Sequence, residues 1–309
     1  TALTTILVGD EWSTISVAND DFMFTDCSNL VGGMGTTYDE NHVGKTYAHV
    51  DEGEANPGYL TKKEAYAIFA DKTLSFYFDG KRNDRIGEKY DVTGLDWYYD
   101  NTNKKVVTVT FDPSFAAFRP AKTAGWFNDM THLTAINGLE NLNTSEVTDM
   151  NLMFANCEAL TTLDLSTLNT SKVTDMSYMF YSSNFSVLET LDLSNFNTTK
   201  VTDVESMFDG CTELKTITVG DGWNVDKAFS DDMFLNCTSL EGEKGTTYDA
   251  SYTDNTYAHI DGGEENPGYL SAVNKRKPGD VNGDGLINSA DVVAIYNYII
   301  EGEASGIQM

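Results

Sequence analysis

Basic residues are scarce in this chain. Its 309 residues include 20 Lys and Arg against 48 Asp and Glu, a formal net charge of −28. Such a surface repels phosphate backbones and anionic headgroups, which excludes nucleic acid and anionic membranes as partners. Long apolar runs are also missing. No stretch approaches the ~20 residues of a membrane-spanning helix, so no membrane insertion is expected. Residues 1–8 lack the charged start, apolar centre and cleavage site of a signal peptide. Cysteine is sparse: Cys27, Cys157, Cys211 and Cys237 show no CxxC spacing, and they read as small buried residues in preference to disulfides or a metal site. Apolar residues are plentiful by contrast, at 40% of the chain with 16 Tyr and 16 Phe. That is enough for a large core, so the charge does not imply disorder. At about 150 residues per domain the length suggests two domains.

Internal repeats organise the chain. Val147-Thr-Asp-Met150, Met153-Phe154, Cys157, Leu160, Leu163 and Leu165 return as Val173-Thr-Asp-Met176, Met179-Phe180, Leu188, Leu191 and Leu193. A third copy holds Val201-Thr-Asp-Val204, Met207-Phe208, Cys211, Leu214 and Ile217. The Met-Phe pairs at 153, 179, 207 and 233 are 26, 28 and 26 residues apart. A period of this length predicts a solenoid. Leu160 to Leu165 alternates at period two and predicts a short strand with inward leucines, leaving Thr162 and Asp164 outward. Met150, Met153, Phe154 and Cys157 fall at helical spacing and predict a short helix. Thr148 and Thr174 sit at its N-cap, and Thr202-Asp-Val-Glu205 has the capping-box pattern. The fold class expected is therefore an α+β repeat solenoid with stacked parallel strands.

A larger duplication frames these repeats. Residues 34–60 return as 244–270 with 17 of 27 positions identical and no gap. Val8-Gly-Asp10, Trp12, Met23-Phe24 and Cys27 likewise match Val219-Gly-Asp221, Trp223, Met233-Phe234 and Cys237. Residues 1–62 then read as the end of a first array with a terminating module, and the ragged beginning implies a fragment of a longer protein. Residues 119–240 form the second array and 241–272 its terminating module. Between the arrays, residues 63–118 hold strand-like runs at Ala65–Phe69, Thr73–Phe78 and Val106–Phe111, with a tight turn at Asp71-Lys72. This insert reads as a β-hairpin cap for the second array in preference to a binding β-domain.

The VTDM…MFxxC…LxxLDLSxxNTS unit resembles the leucine-rich repeats of BspA-like bacterial surface proteins. GTTYD…TYAHxDxGxxNPGYL is similar to the segment that closes arrays in that family. The resemblance covers about residues 1–272. It implies a leucine-rich-repeat fold, a secreted or surface-attached bacterial protein, and adhesion to a protein or glycan on host or bacterial surfaces.

The C-terminal part carries the one motif with defined chemistry. After a linker at 273–279, residues 280–303 read as a calcium loop and helix. Asp280, Asn282 and Asp284 supply loop positions 1, 3 and 5, and Gly285 allows the sharp turn. Leu286 offers its carbonyl, Asn288 acts at position 9, and Asp291 closes the loop at position 12. Calcium is the expected cofactor, because the donors are all hard oxygens. Val292, Ile295, Tyr296 and Ile299 share one face of the helix that comes next, and Gly302 ends it. Asp at position 12 and the wording GDVNGDGxINxxD resemble one repeat of a type I dockerin. That resemblance implies a cohesin module as partner, with Ser289 and Ala290 at positions that contribute to cohesin choice. A second loop, usual in dockerins, does not follow before Met309.

Other signals read as structural. Tyr47, His49 and Asp51 recur as Tyr257, His259 and Asp261, so they suit a module's internal bonding better than acid–base work. Asn143, Asn169 and Asn197 form a row whose amides would satisfy backbone groups at a bend. The aromatic stretch Trp97-Tyr-Tyr-Asp100 is split between packing the cap and anchoring a partner. No catalytic domain is legible. The expected function is non-enzymatic adhesion, extracellular or at the cell surface. The alternatives are a scaffold or spacer assembled through calcium, or a part of a polysaccharide-degrading complex.

Overall fold

The computed structural model describes residues 3–9, 12–18, 22–183 and 186–273, with Val292 alone beyond them. The chain divides into two units, Thr1–Ser271 and Ala272–Met309. Nearly all of the second unit, including the expected calcium loop and helix, lies outside the described residues. The first unit holds the repeats, both terminating modules and the insert.

Its strands are short and fall into three sheets. β1 (Ile6–Val8) pairs in parallel with β2 (Leu60–Lys62). β3 (Glu64–Ala70) and β4 (Thr73–Asp79) form an antiparallel hairpin. Its turn residues Asp71 and Lys72 both take positive φ, 48° and 63°, the backbone that matches strand twist in a two-residue turn. β5 (Glu88–Asp91) adds beside β3, while β6 (Thr108–Phe111) and β7 (Ala135–Asn137) extend the sheet in parallel beyond β4. β8 (Thr190–Leu193), β9 (Thr216–Val219) and β10 (Leu270–Ala272) make a separate three-stranded sheet.

The expected solenoid of helix–strand coils is not what forms, and the leucine-rich-repeat reading falls with it. Among the described residues the strands build separate sheets of two, three and five members instead of one continuous parallel sheet. Leu160 and Leu165 are buried and Leu163 half-buried, with Thr161, Thr162 and Asp164 exposed, yet the segment forms no strand. Within residues 3–273 the α-helical element is α1 (Asp96–Tyr99), which belongs to the insert and not to the repeats. The Met-Phe segments are runs of turns. Met153 and Cys157 N–H groups donate three residues back, to Met150 and Phe154, while Met150, Leu152, Phe154 and Asn156 donate to Asp175, Ser177, Met179 and Tyr181 of the next repeat. Leu152 and Asn156 sit at φ 56° and 54°, which no α-helix tolerates. Turns of this kind bury the same i, i+3, i+4 positions as a helix would.

The threonines also act otherwise than expected. Thr148, Thr174 and Thr202 do not cap helices; their hydroxyls donate to Ala121, Thr148 and Thr174 carbonyls at 3.4, 3.1 and 3.1 Å. Asp149, Asp175 and Asp203, one residue on, bridge to one another in sequence between Lys122 and Phe229. Each accepts the N–H two residues later, at 3.1, 2.9 and 3.0 Å.

A column of phenylalanines runs through the core. Phe127, Phe154, Phe180, Phe208 and Phe234 stack at centroid separations of 5.3, 5.8, 5.7 and 5.5 Å. Tyr269 meets Phe234 edge-on at 5.3 Å at one end. At the other, Phe76 and Phe111 of the insert turn edge-on to Phe127. Offset and edge-on rings suit the aromatic quadrupole and bury large apolar area. The insert thus shares one core with the repeats.

The asparagine row satisfies backbone groups at the bends, within each repeat. Asn143, Asn169 and Asn197 use their side-chain oxygens to accept the N–H two residues on. The ladder between repeats is made by the threonines that come after them. Thr170, 1% exposed, donates to the Asn197 carbonyl at 3.1 Å and accepts the Asn197 N–H at 2.8 Å. Thr170→Val leaves both groups unpaired, and we expect it to cost about 1–3 kcal/mol in urea denaturation. Thr170→Ser should keep most of that stability.

Candidate interaction site and calcium loop

Thr162 and Asp164, expected to face outward, are exposed, as are Thr190 and Asp192 of the next repeat. Asp164 and Asp192 each accept an N–H from two residues on, Ser166 at 3.0 Å and Ser194 at 2.9 Å. Bonds from the Ser166 side chain and N–H hold the Asp164 carboxyl below its usual pKa. Residues 162–164 and Thr167 stand off β7 across a groove whose other wall is Thr134 to Glu140. Threonine, asparagine and carboxylate groups line it, the surface a polar macromolecule would meet.

The repeated Tyr-His-Asp set is taken up by internal bonding. Asp51 accepts the N–H groups of Met34, Thr36 and Gly53 at 2.8, 2.9 and 3.0 Å and the Thr36 hydroxyl at 2.6 Å. Asp261 repeats this with Lys244, Thr246, Gly263 and the Thr246 hydroxyl at 2.8, 3.1, 2.8 and 2.8 Å. Burial alone would raise both carboxyls. For Asp51 the Thr36 side chain and the Thr36, Gly53 and Met34 N–H groups outweigh it, and the pKa falls. Asp261 drops well below the carboxylate range through the matching bonds. His49 and His259 bond the carbonyl of the next residue, at 2.8 and 3.0 Å. Tyr47 and Tyr257 pack on Tyr59 and Tyr269. Both carboxylates are thus spent on the modules' own loops.

The aromatic stretch of the insert divides. Trp97 is fully buried, with Nε1 donating to the Trp126 carbonyl at 3.0 Å, whereas Tyr99 is exposed. Asp100 accepts the Tyr90 hydroxyl at 2.7 Å. One assembly gave no sequence signal. Arg85 pairs bidentately with Asp79 at 3.0 and 2.9 Å and lies 3.7 Å from the Tyr77 ring centroid, closing the outer face of the β3–β4 hairpin. Its residues are separated in sequence without a recurring spacing.

All four cysteines are free. Cys157, Cys211 and Cys237 donate to the carbonyls of Phe127, Phe180 and Phe208, at 3.3, 3.2 and 3.1 Å. Cys211 and Cys237 are buried as expected, while Cys157 and Cys27 are half-buried. Burial pushes the Cys211 thiol up to about 12 and raises Cys237 well above its ordinary value. Cys27 alone of the pair Cys27 and Cys237 is partly exposed. Native-state alkylation at pH 8 should therefore label Cys27 first and leave Cys211 and Cys237 protected, as read by peptide mass analysis.

Among the described residues no group of three or more His, Cys, Asp or Glu is placed to hold a metal. No helix there is long and apolar enough to cross a membrane. Asp280, Asn282, Asp284, Leu286, Asn288 and Asp291 lie outside the described residues. Their chemistry nonetheless fits a hard cation: three carboxylates, two amide oxygens and a main-chain carbonyl.

Residues 122–248, the span of the phenylalanine column, match a family model described as Mycoplasma protein of unknown function, DUF285. Residues 278–309 match the dockerin type I domain. The dockerin match takes in every expected calcium ligand from Asp280 to Asp291. The two matches overlap neither each other nor the insert strands β3 to β6. No curated protein and no solved structure matches the chain.

Proposed function

We propose that the chain is a non-enzymatic, secreted or surface-displayed interaction protein whose C-terminal segment makes a calcium-dependent contact with another protein. The match of residues 278–309 to the dockerin type I domain carries this reading. Asp280, Asn282, Asp284, the Leu286 carbonyl, Asn288 and Asp291 hold the ion. Calcium supplies the positive centre that lets three like-charged carboxylates share one loop. The partner is a cohesin-like module. The test is capture of the full chain on immobilised cohesin modules with calcium and with EGTA. Calcium-dependent retention supports the reading, and retention unchanged by EGTA overturns it.

The polar groove beside β7 supports a second role, adhesion of the repeats to a protein or glycan on host or bacterial surfaces. Charge reversal at Asp164 and Asp192 should then reduce binding to the surface component while leaving cohesin capture intact. If the repeats bind no matrix protein or surface glycan, they serve as a spacer.

A further inference from the structure

The two terminating modules are built alike. Leu3, Thr5, Ile6 and Val8 stand where Leu214, Thr216, Ile217 and Val219 stand in the second. Phe24 N–H donates to Val43 at 2.8 Å, and Phe234 N–H to Thr253 at 2.7 Å. Val31 N–H reaches Thr4 at 2.9 Å, and Glu241 N–H reaches Lys215 at 3.0 Å. Trp12 and Trp223 donate to the Ala48 and Ala258 carbonyls, both at 2.9 Å.

They differ on one side. In the second module β8 takes the far edge of β9, and Phe208 stacks on Phe234 at 5.5 Å. Phe208 and Gly210 N–H groups donate to Met233 and Leu235 carbonyls at 2.9 and 2.8 Å. In the first module β1 pairs with β2 alone among the described residues. Leu3 is 45% and Met23 38% exposed, whereas Leu214 and Met233 are 0% exposed. Among the described residues, a sheet edge and an apolar surface that are covered in the second copy stay open in the first, while Phe24 is itself buried at 4% exposed.

We propose that this face of the first module is the seat of one further Met-Phe repeat, entering at Leu3 as residues 187–213 enter at Leu214. Its strand adds in parallel to the edge of β1. Its apolar side chains cover Leu3 and Met23, and its N–H groups reach the Met23 and Thr25 carbonyls, the counterparts of Met233 and Leu235. A second copy of this chain is a poor occupant. The N–H groups of its Phe127, Phe154, Phe180 and Phe208 already donate to Met153, Met179, Met207 and Met233 of the next repeat.

The test extends the full chain. A copy of residues 187–213 is joined ahead of Leu3 in that register. One control carries a Gly/Ser segment of equal length, and another carries M207D and F208D within the added copy. Native alkylation of Cys27, the counterpart of buried Cys237, is the readout. With the added repeat the Cys27 rate falls about tenfold or more, toward that of Cys237, because local opening must then precede reaction. Both controls keep the rate of the unextended chain. An added repeat that leaves Cys27 as reactive as before, and is cleaved by protease as fast as the Gly/Ser segment, overturns the proposal. A dimer of the unextended chain in which Cys27 is already protected also overturns it, and assigns the face to a second copy.

Discussion

Replacing Asp280 and Asp291 together by alanine should lower calcium affinity by about two orders of magnitude or more, as read by titration calorimetry on the full chain. The two residues hold loop positions 1 and 12, so the change leaves Asp284 as the loop's last carboxylate beside neutral Asn282 and Asn288. A divalent ion that met three negative charges then meets one. Cohesin capture should vanish with it, since metal binding and folding are coupled in sites whose ligands come from one short loop. Thermal melting of the repeats should stay where it is, with calcium or with EGTA. Their core of stacked rings and buried methionines belongs to the unit Thr1–Ser271, while the loop belongs to Ala272–Met309. A repeat transition that collapses on chelation would contradict that division.

How much of the molecule is legible in its sequence depends on what kind of signal each element leaves. β3 and β4 are readable because two seven-residue apolar runs flank a tight turn, and β6 because its four residues alternate. β5 is not, because Glu88–Asp91 exposes three of its four residues. The Met-Phe segments read as helices, wrongly, for a definite reason. Apolar spacing reports which side chains are buried, and three-residue turns bury the same positions as a helical turn. The contrary signal lies in residues that tolerate left-handed backbone. Asp129, Asn156, Gly210 and Asn236 occupy equivalent places with φ of 61°, 54°, 78° and 63°. Leu160 to Leu165 teaches the same lesson for strands, because its leucines turn inward where its backbone forms no strand. The calcium loop is legible from donors alone, because ligand identity is written in the side chains. The seat at Leu3 needs the structure, since only burial separates two copies that share the sequence.

Asp261→Ala should destabilise the repeats by about 3 kcal/mol, as read by urea denaturation. It is 1% exposed and gathers three N–H groups and one hydroxyl from the loop that ends the phenylalanine column. Removing the carboxylate strands those donors, each costing about 1–3 kcal/mol when buried unpaired, and entering water returns part of that sum. Asp261→Asn should fare little better, because its amide turns two donors toward donors. The effect also has a pH signature. The folded pKa of Asp261 is depressed, so its contribution is present above the unfolded carboxyl value near 4 and is lost as pH falls toward the folded value. Repulsion among the many other carboxylates changes over the same range and would obscure this in the wild type alone. The difference between wild type and Asp261→Ala cancels most of that background. It should be constant from pH 7 to about 5 and shrink progressively below about pH 4. A difference that stays constant down to pH 2.5 would mean that the carboxylate charge contributes nothing there and that the loop depends on the shape of the side chain. Asp51→Ala serves as the internal comparison. It removes the same constellation from the first module, whose smaller core contains Phe24, Leu30 and Tyr59, and should leave the main transition of the phenylalanine column in place.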